Sequence, residues 1–205
     1  MKTGVWGKKI GMTQVFVNEK VVPVTVIDTS NWFITQIKSK ELDGYNAIQI
    51  GCVKPKYSSK TFEKSWLTEL SKYFSAIKEV KTSSIENLEV GSMVDPSNVL
   101  QVGQTVDAMG LSKGRGFQGA VKRHGFRGGS GSHGDKTGRR IGSLSFMRSR
   151  GRVIKGKRLP GNMGMESKTI KNLELIQIIQ ENNVLLLKGS IPGKAGSLVF
   201  ISKRG

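Results

Sequence analysis

At 205 residues, with 33 lysines and arginines against 15 acids, the chain has a formal charge of +18 and a pI near 10.2. A balance this basic points to a polyanion, nucleic acid before anionic membrane; the membrane reading fails because no apolar run approaches the roughly 18 residues of a spanning helix. The single cysteine, Cys52, excludes an internal disulfide framework and suits a reducing compartment.

Length predicts one domain, or one domain with an insertion. MKTGVWGKKIGM lacks the apolar run of a secretory signal and the arginine- and serine-rich character of a transit peptide, so a soluble chain, intracellular or already processed, is expected. Gly4, Gly7 and Gly11 punctuate the start, and TQVFV then turns strand-like. Val21 to Asp28 is β-branched on both faces, which predicts a covered strand that Pro23 restricts to an edge or a bulge. Trp32 to Lys38 and Tyr45 to Val53 continue as antiparallel strands across Leu42-Asp43-Gly44. Within the second of these, Cys52 reads as a small buried apolar residue.

From Lys54 the pattern changes. Phe62, Trp66, Leu70, Tyr73 and Phe74 recur at near-helical spacing, predicting a helix capped at Ser58 or Ser59 with its aromatic face on the core. Residues 81–98 are polar and turn-rich, as a surface insertion would be. Val99 to Met109 reads as strand. After the excursion that follows, Leu173 to Ile179 and VLLLKG form a hairpin about Glu181-Asn182-Asn183, and SLVFIS closes the chain as a last strand.

The excursion, Leu111 to Pro160, holds fourteen basic residues against one acid, Asp135, and twelve glycines, so it contributes +13 of the +18. Its apolar residues follow neither a helical nor a strand period, and it cannot build a core of its own. A long loop of this charge inside a compact domain asks for a polyanion. Strands on either side make it an insertion in one β domain and not a linker between two.

Two glycine motifs invite a nucleotide. Gly114 to Gly119 is a literal GxGxxG, but AVKRH is stopped after five residues by Gly125, and no suitably placed acid follows for a ribose. Gly129 to Thr137 resembles a phosphate-binding loop except that Asp135 precedes Lys136, where a carboxylate would repel phosphate. His124 and His133 have no cysteine near enough for a zinc spacing and no Ser, Asp or Glu constellation for catalysis, so no metal, no cofactor and no small-molecule substrate is expected. RGFQG begins like an RRM strand motif and then departs from it. What remains is binding: arginine forks on phosphates, glycines that let the backbone close in, and Phe117, Phe126 and Phe146 as stacking partners or wedges.

These residues resemble the family of large-subunit ribosomal protein three in its bacterial-type length. The resemblance is carried by WGKKIGMTQVF with VVPVTVI, by DGYNAIQIG, by VDAMGLSKGRGFQGAVKRHGF, by SHG, GSL and GRVIKGKRLPGNMG, and by NLELIQII with LLLKGSIPGKAGS. It implies a mainly β fold: a six-stranded translation-protein-type barrel over 1–110 and 165–205, with a small α/β insertion at about 54–98. From that body a long basic glycine-rich loop, 111–164, would extend into rRNA. The implied role is that of a non-enzymatic structural constituent of the large ribosomal subunit, binding 23S-type rRNA early in assembly and reaching toward the peptidyl transferase centre. Proteins fourteen and nineteen would be neighbours, and the location a bacterial cytoplasm or an organelle. A free-standing RNA chaperone is the competing reading.

Carried over by position, the rRNA contacts would be Lys8, Lys9, Lys113, Arg115, Phe117, Lys122, Arg123, His124, Arg127, His133, Arg139, Arg140, Arg148, Arg150, Arg152, Lys155, Lys157 and Arg158. Ser143, Ser145, Phe146, Met147 and Arg148 would form the tip. Ser145 stands where the family commonly has glycine and Arg150 where it has proline. No glutamine occurs between Gln118 and Gln177, so the glutamine methylation of some bacterial members is not expected in this chain.

Overall fold

The structure, a computed structural model, describes residues 3–82, 88–145 and 151–203. Among them the strands in chain order are β1 (Gly4–Val17), β2 (Lys20–Asp28), β3 (Trp32–Lys38), β4 (Ala47–Val53), β5 (Phe74–Lys81), β6 (Thr105–Leu111), β7 (Phe117–Gln118), β8 (Gly161–Asn162), β9 (Ser167–Ile179), β10 (Val184–Lys188) and β11 (Leu198–Lys203). Three short helices, α1 (Lys40–Asp43), α2 (Leu70–Tyr73) and α3 (Ala120–His124), complete a mainly β fold. Contacts divide the chain into two compact units, 1–111 with 167–205, and 112–166.

In the first unit six antiparallel strands pair in the closed order β1-β11-β6-β9-β10-β2 and back to β1. Alternation supplies the interior: Val5, Ile27, Val106, Ala108, Leu175, Leu185, Leu187, Val199 and Ile201 form one cluster, with Leu100 and Ile191 beside them. Closure leaves the ring with no free edge to template another chain. The β9–β10 hairpin forms as its sequence predicts, Ile179 opposite Val184. Pro23 lies opposite Gln14, just past Lys188↔Val24, the last pair of β2 with β10; its carbonyl oxygen still accepts from Gly189 N–H at 2.8 Å, so proline sits at the end of that pairing. β1 bulges between Lys9 and Gly11.

A second sheet, β3-β4-β5, covers Trp6, Leu198 and Phe200 with Trp32, Ile34, Ile50, Cys52 and Val80. Cys52 is buried, as read. The helix expected over Phe62 to Phe74 does not form. In its place are 3-10 turns at Pro55–Tyr57 and Lys64–Leu67, the single turn α2, and β5 beginning at Phe74 itself. Hydroxyls drive this: Ser58 Oγ donates to Pro55 O at 3.0 Å and Thr68 Oγ1 to Ser65 O at 2.7 Å, local bonds that compete with a continuous helix. The aromatics still reach a core, with Trp66 stacked on Tyr73 at 5.1 Å. Residues 88–98 are also less superficial than their polarity suggests. Leu88 and Val94 pack on the second sheet, Met93 bridges Phe33, and Pro96 is buried. The strand expected from Val99 starts only at Thr105, because Val99 and Leu100 close a 3-10 turn onto Pro96 O.

Candidate nucleic-acid interface

The second unit is held at its base by a backbone ladder. Ser112 N–H donates to Glu166 O at 2.9 Å, Arg115 N–H to Met163 O at 2.8 Å and Met163 N–H to Gly116 O at 3.0 Å, after which β7 pairs with β8. Gly164, at φ +79°, makes this approach feasible, since a Cβ there would overlap the Lys113 carbonyl oxygen. Beyond β7, α3 runs five residues and ends at Gly125. From it Arg123 Nη1 donates to Leu159 O at 2.8 Å, and His124 Nε2 lies 3.0 Å from the same oxygen. A carbonyl only accepts, which places the His124 proton on Nε2. Arg123 and His124 are therefore half-buried ties between the outgoing and returning strands, a structural duty that a list of cations does not reveal.

Past the ladder the chain is open. Lys113, Arg115, Lys122, Arg127, Arg139, Arg140, Arg152, Lys155, Lys157 and Arg158 are exposed, as are Phe117 and His133. Lys136, part of the charge count but absent from the candidate contacts, is exposed like its neighbours. Phe126 is half-buried, its ring 6.1 Å from that of His124. Ser143 and Ser145 are exposed with their hydroxyls 2.8 Å apart. Phe146, Met147, Arg148 and Arg150 lie outside the described residues.

Asp135 accepts from the Ser130 N–H at 2.6 Å and the Thr137 N–H at 2.8 Å. Bonds from Thr137, then Ser130, hold its carboxyl below the usual carboxylate range. The N–H groups a phosphate loop would offer are thus occupied by the chain's own carboxylate. The one acid between Leu111 and Pro160 is engaged by backbone, which leaves the excursion's positive field uncompensated from within.

Lys8 and Lys9 part company on β1. Lys8 is half-exposed. Lys9 is buried, its ammonium donating to Ile191 O at 2.8 Å and Gly193 O at 3.2 Å, which gives this expected rRNA contact a structural role in the fold. A buried ammonium bonded to two carbonyls holds the loop before β11. Among the described residues no group of three His, Cys, Asp or Glu side chains could hold a metal ion, and no helix is long and apolar enough to cross a membrane.

A β body with a glycine-rich cationic excursion has the build of a binding protein. A family model described as Ribosomal protein L3 matches residues 74–184. A relative from Bacillus cytotoxicus, named large ribosomal subunit protein uL3, is 44% identical over 206 residues, covering 98% of this chain and 96% of its own length. Proteins of the same name from Thermosipho melanesiensis and Carboxydothermus hydrogenoformans are 43% and 40% identical, each covering at least 97% of this chain and 98% of their own. The chain belongs to the ribosomal protein L3 family, whose members are structural components and not enzymes.

Proposed function

We propose that the chain is a structural constituent of the large ribosomal subunit that binds 23S-type rRNA early in assembly. On this reading the six-stranded ring is a translation-protein-type barrel, and residues 112–166 are the extension that enters rRNA toward the peptidyl transferase centre, with Ser143, Ser145 and the residues after them at its tip. The observation that carries the proposal is the row of exposed cations on 112–166, with Asp135, the one acid between Leu111 and Pro160, tied to its own backbone. Arginine and lysine neutralise phosphates, open glycine backbone admits the sugar-phosphate chain, and Phe117, 72% exposed, is free to stack or wedge. Ordering of the extension is then coupled to assembly. Proteins fourteen and nineteen are its proposed neighbours, in a bacterial cytoplasm or an organelle.

The test is incorporation. Arg115→Glu with Arg127→Glu, both at exposed positions, is expected to keep the chain out of large subunits sedimented through a high-salt gradient. Normal co-sedimentation of that variant would refute the extension as anchor. Loss of the parent chain itself at moderate salt would favour a free-standing RNA chaperone.

A further inference from the structure

The aromatic segment that replaces the expected helix borders a groove of about 580 Å³, lined by Phe33, Phe62, Lys60 and Lys64 on one side and by the 89–93 loop on the other. Phe33 and Phe62 stack at 5.5 Å and 18°, both half-exposed. The facing loop is fastened by backbone: Gly91 N–H donates to Ile34 O at 2.8 Å, Val94 N–H to Trp32 O at 2.8 Å, and Met93 bridges Phe33. Gly91 has φ +93°, and a Cβ there would stand 2.6 Å from the Phe62 ring, so only glycine lets the loop close down to this width. The groove is pre-formed.

Its lining carries two cations, Lys60 and Lys64, and one acid, Glu89. Residues 54–81 hold seven lysines against three acids. Each of those acids is already engaged: Glu63 accepts from Ser65 Oγ at 3.0 Å, Glu69 pairs with Lys72 at 2.7 Å and Glu79 with Lys38 at 2.7 Å. Lys60 and Lys64 are exposed, and no ion pair engages either among the described residues. Lys60 Nζ lies 5.9 Å from the centroid of the Tyr57 ring, and aromatic faces beside cations are the arrangement that takes a base and its phosphate. An apolar peptide would use the rings but leave the lysines without a role.

We infer that this groove is a second RNA contact, receiving one unpaired nucleotide with its base against Phe62 and its phosphate at Lys60 and Lys64; the inference rests on the proposed rRNA-binding function. Glu89, the acid on the groove wall, is an acceptor and suits an exocyclic amino group. Adenine, cytosine and guanine carry one; uracil does not.

The experiment uses the full chain and labelled single-stranded oligocytidine and oligouridine, with binding followed by anisotropy across salt concentrations. Variants are made in the parent and in the Arg115→Glu, Arg127→Glu background, where the contribution of residues 112–166 is reduced. Phe62→Leu keeps apolar volume in the cluster and removes the π face; it is expected to weaken oligocytidine binding roughly fivefold to a hundredfold. Lys60→Ala with Lys64→Ala should flatten the log affinity against log salt slope by about 1.4. Glu89→Gln should narrow the preference for oligocytidine over oligouridine. Melting curves followed by circular dichroism serve as the control that each variant is folded. Folded groove variants that bind both oligonucleotides like their backgrounds would sink the inference and leave the rRNA role standing. A parent chain with no affinity for rRNA or for either oligonucleotide would remove both.

Discussion

Between Val5 and Ile201 the ring places its β-branched and leucine side chains inward and pairs every strand on both sides, whereas between Ser112 and Glu166 almost nothing is inward. Ala120 is the one fully buried residue described in that second unit. Burial is what stabilises the ring, at about 25 cal/mol per Å² of apolar surface. The extension has a backbone ladder at its base, the ties from Arg123 and His124, and a field of cations that gains free energy only when a polyanion arrives. One region is specified by what it excludes from water, the other, on the proposed function, by the polyanion it would bind. Lys9 and Lys113 state the contrast in a single residue type: the first is buried against two carbonyls, the second exposed without a hydrogen bond or ion pair among those described.

The largest effect expected from this contrast is the salt dependence of RNA affinity. If about half of the exposed cations on the extension meet phosphates, counterion release lowers affinity roughly 10²- to 10³-fold between ~50 and ~200 mM salt. The ring, held by burial, should keep its melting temperature over the same range. Filter binding to large-subunit rRNA and a thermal melt, run on the same samples, separate the two responses. A flat binding curve would mean that the cations are solvated and not engaged.

Substituting the paired lysines sharpens the comparison. Lys9→Met leaves the Ile191 and Gly193 carbonyls without their donor in a buried site, which costs about 1–3 kcal/mol. In a chain of this size that is a fall of roughly 2–12 °C in Tm. The RNA salt slope should stay as it is. Lys113→Met is expected to do the reverse, leaving Tm in place and reducing the slope by roughly 0.7 to 0.9. A slope change in a folded Lys9→Met protein would add Lys9 to the interface.

Much of this division was legible from residues alone. The β-branched run of VTVID, the Glu181-Asn182-Asn183 turn and the density of charge after Leu111 are local signals; the first two lead directly to β2 and to the β9–β10 hairpin, and the third marks the stretch that falls in the second compact unit. What was not legible depended on contacts far apart in sequence. Lys9 reads as one more cation beside Lys8 until the loop 182 residues away folds over it. Arg123 reads only as a phosphate ligand until Leu159 returns beside it and gives it a structural bond as well. The aromatic run misled for a different reason: near-helical spacing was offset by Ser58, Ser59, Thr61, Ser65 and Thr68, whose hydroxyls favour short turns. Its lysines went unweighed because a helix would have scattered them around its surface instead of along a groove.

The finest distinction lies inside the extension, at Asp135. Its folded carboxyl is held below the ordinary range chiefly by the Thr137 backbone N–H, then by the Thr137 side chain and the Ser130 N–H. A lowered folded value means that the turn's contribution is full above the ordinary carboxylate pKa and is lost as pH falls through the lowered one. The Ser130 and Thr137 amide resonances should therefore move together with the Asp135 carboxyl in an NMR titration, and only at a pH below that of an unperturbed aspartate. The ring should show no matching transition, since no ring contact depends on this carboxylate. Titration of Asp135 at the ordinary value, with the two amides unmoved, would mean that the turn is not closed in solution. The Ser130 and Thr137 N–H groups would then be open to a phosphate after all, and the nucleotide reading that Asp135 now blocks would have to be tested directly with ATP by calorimetry.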